Sequence, residues 1–161
     1  MAIKVGDRLP NATFRVMTAE GPKPRTTDDV FKGKKVALFA VPGAFTPTCS
    51  NLHMPSFVQN AAALKAKGVD TIAVTAVNDV FVMEAWKKES GAEGKIEFLS
   101  DGNGEFAKAL YLTFDGSGNG LGVRSKRYSM LVDNGAVKKL NIEEAPGKCE
   151  LTSGQALLKQ L

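Results

Sequence analysis

Val36-Ala37-Leu38-Phe39-Ala40-Val41-Pro42-Gly43-Ala44-Phe45-Thr46-Pro47-Thr48-Cys49 determines how the rest of this chain is arranged. Its first six residues are an unbroken apolar run, the mark of a strand buried on both faces. Residues 50–67, which follow, repeat their apolar positions at helical spacing. Cys49 therefore falls where a buried strand hands over to a helix. A thiol in a first helical turn faces unpaired backbone N–H groups and the positive end of the helix dipole, both of which favour the thiolate. Cys49 is a candidate nucleophile.

Downstream, the helix is expected to carry Phe57, Val58, Ala61 and Leu64 on one face, with Pro55 as a kink and Gly68 as its stop. Residues 69–77 read as a second apolar strand. Asn78-Asp79 reads as a helix N-cap, before a helix with Phe81, Val82, Ala85 and Trp86 on a core-packed face. A third strand is expected at 96–99 and a short helix at 104–110. The glycine-rich loop at 114–122 lacks the Gly-Lys-Ser/Thr ending and the strand-to-helix setting of a phosphate cradle. Two strands, 127–132 and 136–142, flank Asp133-Asn134-Gly135, a strong hairpin signal that makes them antiparallel neighbours, and residues 153–161 close as a helix. Upstream lie a strand after Pro10, a loop at Gly21-Pro22-Lys23-Pro24 and a short helix capped by Thr26-Thr27-Asp28-Asp29.

The order β-α-β-α-β-β-α, with one inserted helix and an N-terminal extension, defines an α/β chain. A mixed central β-sheet is flanked by helices in the manner of a thioredoxin-like fold. No linker or repeat divides it, so a single domain over 1–161 is expected. Redox enzymes of that fold carry their reactive cysteine at the N-terminus of the first core helix, where Cys49 falls. The usual C-x-x-C is missing, because Thr46 stands in its first position.

Composition narrows the function. Hydrophobic and charged residues make up 43% and 24% of the 161, close to the globular average, which argues against disorder. No apolar run approaches the roughly 18 residues that would span a bilayer, so no membrane partner is expected. The net charge of +4 comes from scattered residues without a basic block, which disfavours nucleic acid. Cys49 and Cys149 form neither a disulfide framework nor a metal pair, and with His53 as the one histidine a zinc site is not expected. The first residues lack the apolar core of a secretory signal, which makes a cytoplasmic location the expectation.

The substitution at Thr46 selects the chemistry. A lone cysteine beside a hydroxyl cannot form its own local disulfide, which disfavours disulfide reduction. An activated lone thiolate instead attacks a peroxide oxygen and becomes a sulfenic acid that a second thiol clears. Thr46 can hydrogen-bond the thiolate or the bound peroxide. An alternative is a non-enzymatic redox sensor or oxidation-dependent holdase that uses the same thiolate as a switch.

Pro42-x-x-x-Thr46-x-x-Cys49 resembles the active-site signature of peroxiredoxins. With His53-Met54-Pro55, Val77-Asn78-Asp79-x-Phe81-Val82 and Gly122-Val123-Arg124-Ser125-Lys126-Arg127-Tyr128-Ser129-Met130, the chain is similar to the type II, peroxiredoxin-5-like branch. That resemblance implies a thiol-dependent peroxidase acting on hydrogen peroxide and alkyl hydroperoxides without a cofactor, recycled by glutathione/glutaredoxin or thioredoxin, and usually a homodimer. It makes Cys49 the peroxidatic nucleophile, Thr46 its hydroxyl partner, Pro42 a shield against water and Arg127 the distant cation, with Arg124 as rival. His53 would orient the pocket or lie at its rim, and Phe45 and Phe81 would supply apolar walls. Cys149 lies near the resolving position of animal relatives, whereas the plant-type resolving position falls on Val74. Both an internal resolution by Cys149 and a one-cysteine cycle stay open.

Overall fold

The apolar run becomes β3 (Lys35–Ala40), the strand from which the sheet spreads in both directions in a computed structural model that describes residues 2–161. Alternate side chains enter two different cores. Ala37, Phe39 and Val41 join Phe57, Leu64, Trp86 and Leu157 on one face, while Val36, Leu38 and Ala40 join Phe14, Phe31 and Phe106 on the other. Burial on both sides is why the sequence shows no polar alternation there.

The remaining elements are β1 (Thr13–Thr18), β2 (Gly21–Thr26), α1 (Thr27–Phe31), α2 (Met54–Gln59), α3 (Ala61–Ala66), β4 (Thr71–Ala76), α4 (Val80–Glu89), β5 (Glu97–Ser100), α5 (Glu105–Ala109), β6 (Thr113–Asp115), β7 (Val123–Ser125), β8 (Tyr128–Asp133), β9 (Ala136–Ile142) and α6 (Gly154–Lys159). A seven-stranded mixed sheet runs β2-β1-β5-β4-β3-β8-β9. β3 pairs parallel with β4 and antiparallel with β8, with Ala40 opposite Tyr128. That register brings the residue just before β8 to the end of β3 from which the Cys49 turn departs. β8 and β9 join through Asn134 (φ 49°) and Gly135 (φ 82°), the left-handed pair that a tight hairpin requires.

Four expectations change. The loop at 21–24 is the strand β2, paired with β1 from Thr26 to Gly21. It is an outer strand of the sheet, where Pro22 and Pro24 are tolerated because only one side of the strand must be paired. The glycine-rich loop belongs to a separate two-stranded ribbon, β6 and β7. In α4 the buried stripe is Val80, Met83 and Trp86, and Phe81 stands 65% exposed instead of packing inward. The helix expected over 50–67 is in pieces: a π-helical turn, Cys49–His53, then α2 and α3, broken at Asn60.

α6, capped by the Ser153 hydroxyl accepting from Ala156 N, packs hard against α2. A Cβ on Gly154 would collide with the Ser56 carbonyl and lie 3.2 Å from Phe57 Cα, so only glycine allows this approach. Gly154 N donates to Ser56 Oγ at 2.9 Å, fixing the C-terminal helix to the helix that follows Cys49.

Candidate active site

The turn after β3 is tight. Gly43 has no Cβ to meet Thr46 Cγ2 and Arg124 Nη1, which would be 3.1 and 3.3 Å away. Phe45 is held in the left-handed region at φ 66°, a conformation costing an L residue about 1–2 kcal/mol. Thr46 Oγ1 donates to Gly43 O at 2.7 Å, which leaves the oxygen's lone pairs as acceptors. Pro42 is buried, and its carbonyl takes a long 3.5 Å contact from Arg124 Nη1.

Helical geometry begins at Pro47-Thr48 and widens at once into the π turn, with Met54 N bonded to Cys49 O. Pro55 has no N–H for the carbonyl four residues before it, so a break in the regular ladder is cheap here. Cys49 is fully buried in this turn. Trp86 Nε1 donates to Ser50 Oγ at 3.1 Å and ties the turn to α4.

The cation at the sulfur is Arg127. Its Nη2 donates to Cys49 Sγ at 3.1 Å, and its side chain is among the largest that are fully buried. Arg124, three residues earlier, bonds the Leu121 and Pro42 carbonyls instead. Arg127 is held on three sides: Nε and Nη2 donate to Pro146 O at 3.2 and 2.9 Å, and Nη1 meets His53 Nδ1 at 2.9 Å. A guanidinium only donates, so Nδ1 is the acceptor and the proton of the neutral ring sits on Nε2, which donates to Thr152 O at 2.9 Å.

His53 thus lies behind Arg127, fully buried, and not at a pocket rim. Its ring packs against Phe39 and Phe57, with centroids 4.9 and 5.7 Å away. Burial, reinforced by the Arg127 charge, pushes its pKa down to about 3. An unfolded histidine titrates near 6.5, so between about 6.5 and 3 the unfolded chain binds the proton that the folded one refuses. The contribution of His53 to folding is complete above this window and falls as pH drops through it, by up to about 1.4 kcal/mol per pH unit. Urea unfolding from pH 7 to 4.5 should show a steeper loss for the parent than for His53→Asn. Parallel slopes would mean that His53 is not held neutral.

Phe45 and Phe81 stand 49% and 65% exposed, so neither is a packed pocket wall. The Ala44 N to Asn78 Oδ1 bond, 2.9 Å, joins their two segments. Cys149 is half-buried with a free thiol, 3.9 Å from Thr152 Oγ1, and burial pushes that thiol up.

Sequence reasoning missed the segment 145–152, which closes over the site. It supplies Pro146 O and Thr152 O as above, and Gly147 O accepts from Thr48 Oγ1 at 3.0 Å. Glu143, 5% exposed, holds it: Oε2 accepts from Glu150 N, Leu151 N, Thr152 N and Thr152 Oγ1 at 2.9, 2.8, 2.9 and 2.7 Å. The only sequence signal was a carboxylate just past the strand at 136–142.

A buried thiol under a guanidinium, at a strand-to-helix junction of this sheet, is the arrangement of a thiol-based redox enzyme. A model of the Redoxin family matches residues 4–158. Chloroplastic peroxiredoxin-2E of Arabidopsis thaliana is 48% identical over 99% of this chain and 70% of its own length. Peroxiredoxin-2C of Oryza sativa subsp. japonica is 46% identical over 99% and 98%. Reduced Prx3 of Vibrio vulnificus, solved in complex with H2O2, superposes with a TM-score of 0.93 at 49% identity, covering 98% of both chains. The chain belongs to the Redoxin family, among the peroxiredoxins of the type II, peroxiredoxin-5-like branch. It is a thiol peroxidase, an oxidoreductase that uses peroxide substrates and a thiol reductant.

Proposed function

We propose that Cys49 is the peroxidatic residue and that it reduces hydrogen peroxide and alkyl hydroperoxides through a sulfenic acid. The supporting observation is the 3.1 Å contact from Arg127 Nη2 to a fully buried Cys49 Sγ. The thiolate attacks the terminal oxygen of ROOH; the S–O bond forms, the O–O bond breaks, and its electron pair leaves as RO⁻, which takes a proton from water. Arg127 stabilises the charge growing on the leaving oxygen, a role that fixed donors perform without reorganisation. Thr46 Oγ1 has acceptor capacity for the peroxide O–H, and buried Pro42 excludes water.

Recycling follows a one-cysteine course in this reading. A glutathione, glutaredoxin or thioredoxin thiol attacks the sulfenic sulfur, releasing water and leaving a mixed disulfide that a second thiol reduces. Cys149 is the less suited attacker where it stands, since burial keeps its thiol protonated and the thiolate is the nucleophile. Exposed Phe45 and Phe81, linked through Ala44 and Asn78, support a homodimer contact beside the site.

Mass analysis after one equivalent of peroxide, with and without glutathione, tests this for the parent and Cys149→Ser. The expected products are one added oxygen without glutathione and one glutathione adduct with it, alike in both proteins. An internal disulfide in the parent, together with loss of turnover in Cys149→Ser, would overturn the one-cysteine cycle.

A further inference from the structure

We infer that Glu143 is a positioning residue for the Cys49 chemistry, acting through the segment that holds Arg127; the inference rests on the peroxidase reading above. The connection is continuous. Three successive N–H groups, of Glu150, Leu151 and Thr152, converge on one oxygen of Glu143, with the Thr152 hydroxyl as a fourth donor. This fixes Thr152 O, the acceptor for His53 Nε2–H. With that proton located, His53 Nδ1 presents its lone pair to Arg127 Nη1, while Pro146 O on the same segment receives Nε and Nη2. The remaining direction of Nη2 is toward Cys49 Sγ.

Glu143 is tied to Arg127 from behind as well, since Glu143 N donates to Arg127 O at 3.0 Å. Its carboxylate nevertheless makes no ion pair with the guanidinium among the described residues. The connection to Arg127 therefore runs through hydrogen bonds and not through a direct ion pair. This coil is mostly exposed, turns inward at Thr152 and has no regular ladder of its own, so the acceptors it finds set its position. Here the acceptor is one side chain, and the coil in turn supplies the carbonyls that aim the arginine. Without the carboxylate, the carbonyls at 146 and 152 lose their fixed positions, the imidazole its fixed tautomer, and the guanidinium its aim.

The test compares Glu143→Ala, Glu143→Asp and Glu143→Gln with the parent in three readouts: kcat/KM for hydrogen peroxide, the pH profile of Cys49 alkylation by iodoacetamide in a Cys149→Ser background, and amide exchange at 150–152. Glu143→Ala is expected to lose about tenfold to a hundredfold in kcat/KM, the scale of a misaimed catalytic group. Its alkylation profile should move to higher pH, its amides should exchange faster, and its circular dichroism should stay that of the parent. Glu143→Gln, which keeps an acceptor oxygen, should lie closer to the parent than Glu143→Ala in all three. If Glu143→Ala does not fold, Glu143→Asp, whose shorter arm cannot reach all four donors, carries the comparison. A folded Ala or Asp variant with kcat/KM and alkylation profile within about twofold of the parent overturns the inference. So does faster amide exchange with an unmoved alkylation profile, the signature of a merely structural role. The alkylation readout needs no peroxide turnover, so a parent inactive toward peroxide would defeat the peroxidase reading while still reporting on Glu143.

Discussion

Cys49→Ser is expected to lower peroxide consumption by about a thousandfold or more, the scale seen when a covalent nucleophile is removed. The hydroxyl replaces the sulfur nearly isosterically in the same buried position, so Arg127 Nη2 keeps an acceptor and the fold should persist. What is lost is the nucleophile: a serine hydroxyl does not ionise near neutrality, and oxygen does not form the sulfenic acid that stores the transferred oxygen. Direct measurement of peroxide disappearance, with thermal unfolding as the control for folding, decides the matter. A folded Cys49→Ser protein that still turns over peroxide would refute the assignment.

Arg127→Ala ranks second, with an expected loss of about a hundredfold to a thousandfold in kcat/KM, as for removal of one fixed donor to developing charge. The guanidinium spreads its donors over Cys49 Sγ, His53 Nδ1 and Pro146 O. Truncation leaves these acceptors facing a void, at about 1–3 kcal/mol for each buried group left unpaired. Arg127→Lys should restore only part of the activity, because one ammonium cannot reproduce a planar fork that serves three separated acceptors. A folded Arg127→Ala variant within threefold of the parent rate, about 0.7 kcal/mol, would leave no role for the contact.

The place of Cys49 at the junction of β3 and a helical turn was legible because its setting is local. An apolar run, a Pro/Gly turn and a helical repeat follow one another within some thirty residues. The Asn134-Gly135 hairpin was legible for the same reason. Choosing Arg127 over Arg124 needed the resemblance, since both are basic and three residues apart. Structurally the choice follows from register: Tyr128 lies opposite Ala40, so residue 127 overhangs the end of β3 while 124 belongs to the outlying ribbon.

Other features were hidden for physical reasons. The segment 145–152 acts through backbone carbonyls, which every residue type carries alike, so composition could not reveal it. The buried face of α4 was misjudged because apolar residues occur on both sides of it: Phe81 and Ala85 are exposed, Val80, Met83 and Trp86 are not. The π turn escaped because its hydrogen bond from Met54 N to Cys49 O leaves no periodic trace over one turn. β2 was read as a loop because two prolines in six residues argue against a strand unless it lies at an edge.

The pairing of β3 with β8 also orders events in time. Cys49 and Arg127 are separated by 78 positions, and the segment that aims the arginine comes later still. Contacts of such sequence separation close late, after the local helices and turns. A nascent chain that has emerged only through β5 already contains the thiol and its helical turn but neither Arg127 nor the segment 145–152. The sulfur therefore meets its arginine only once the C-terminal third has been synthesised and docked.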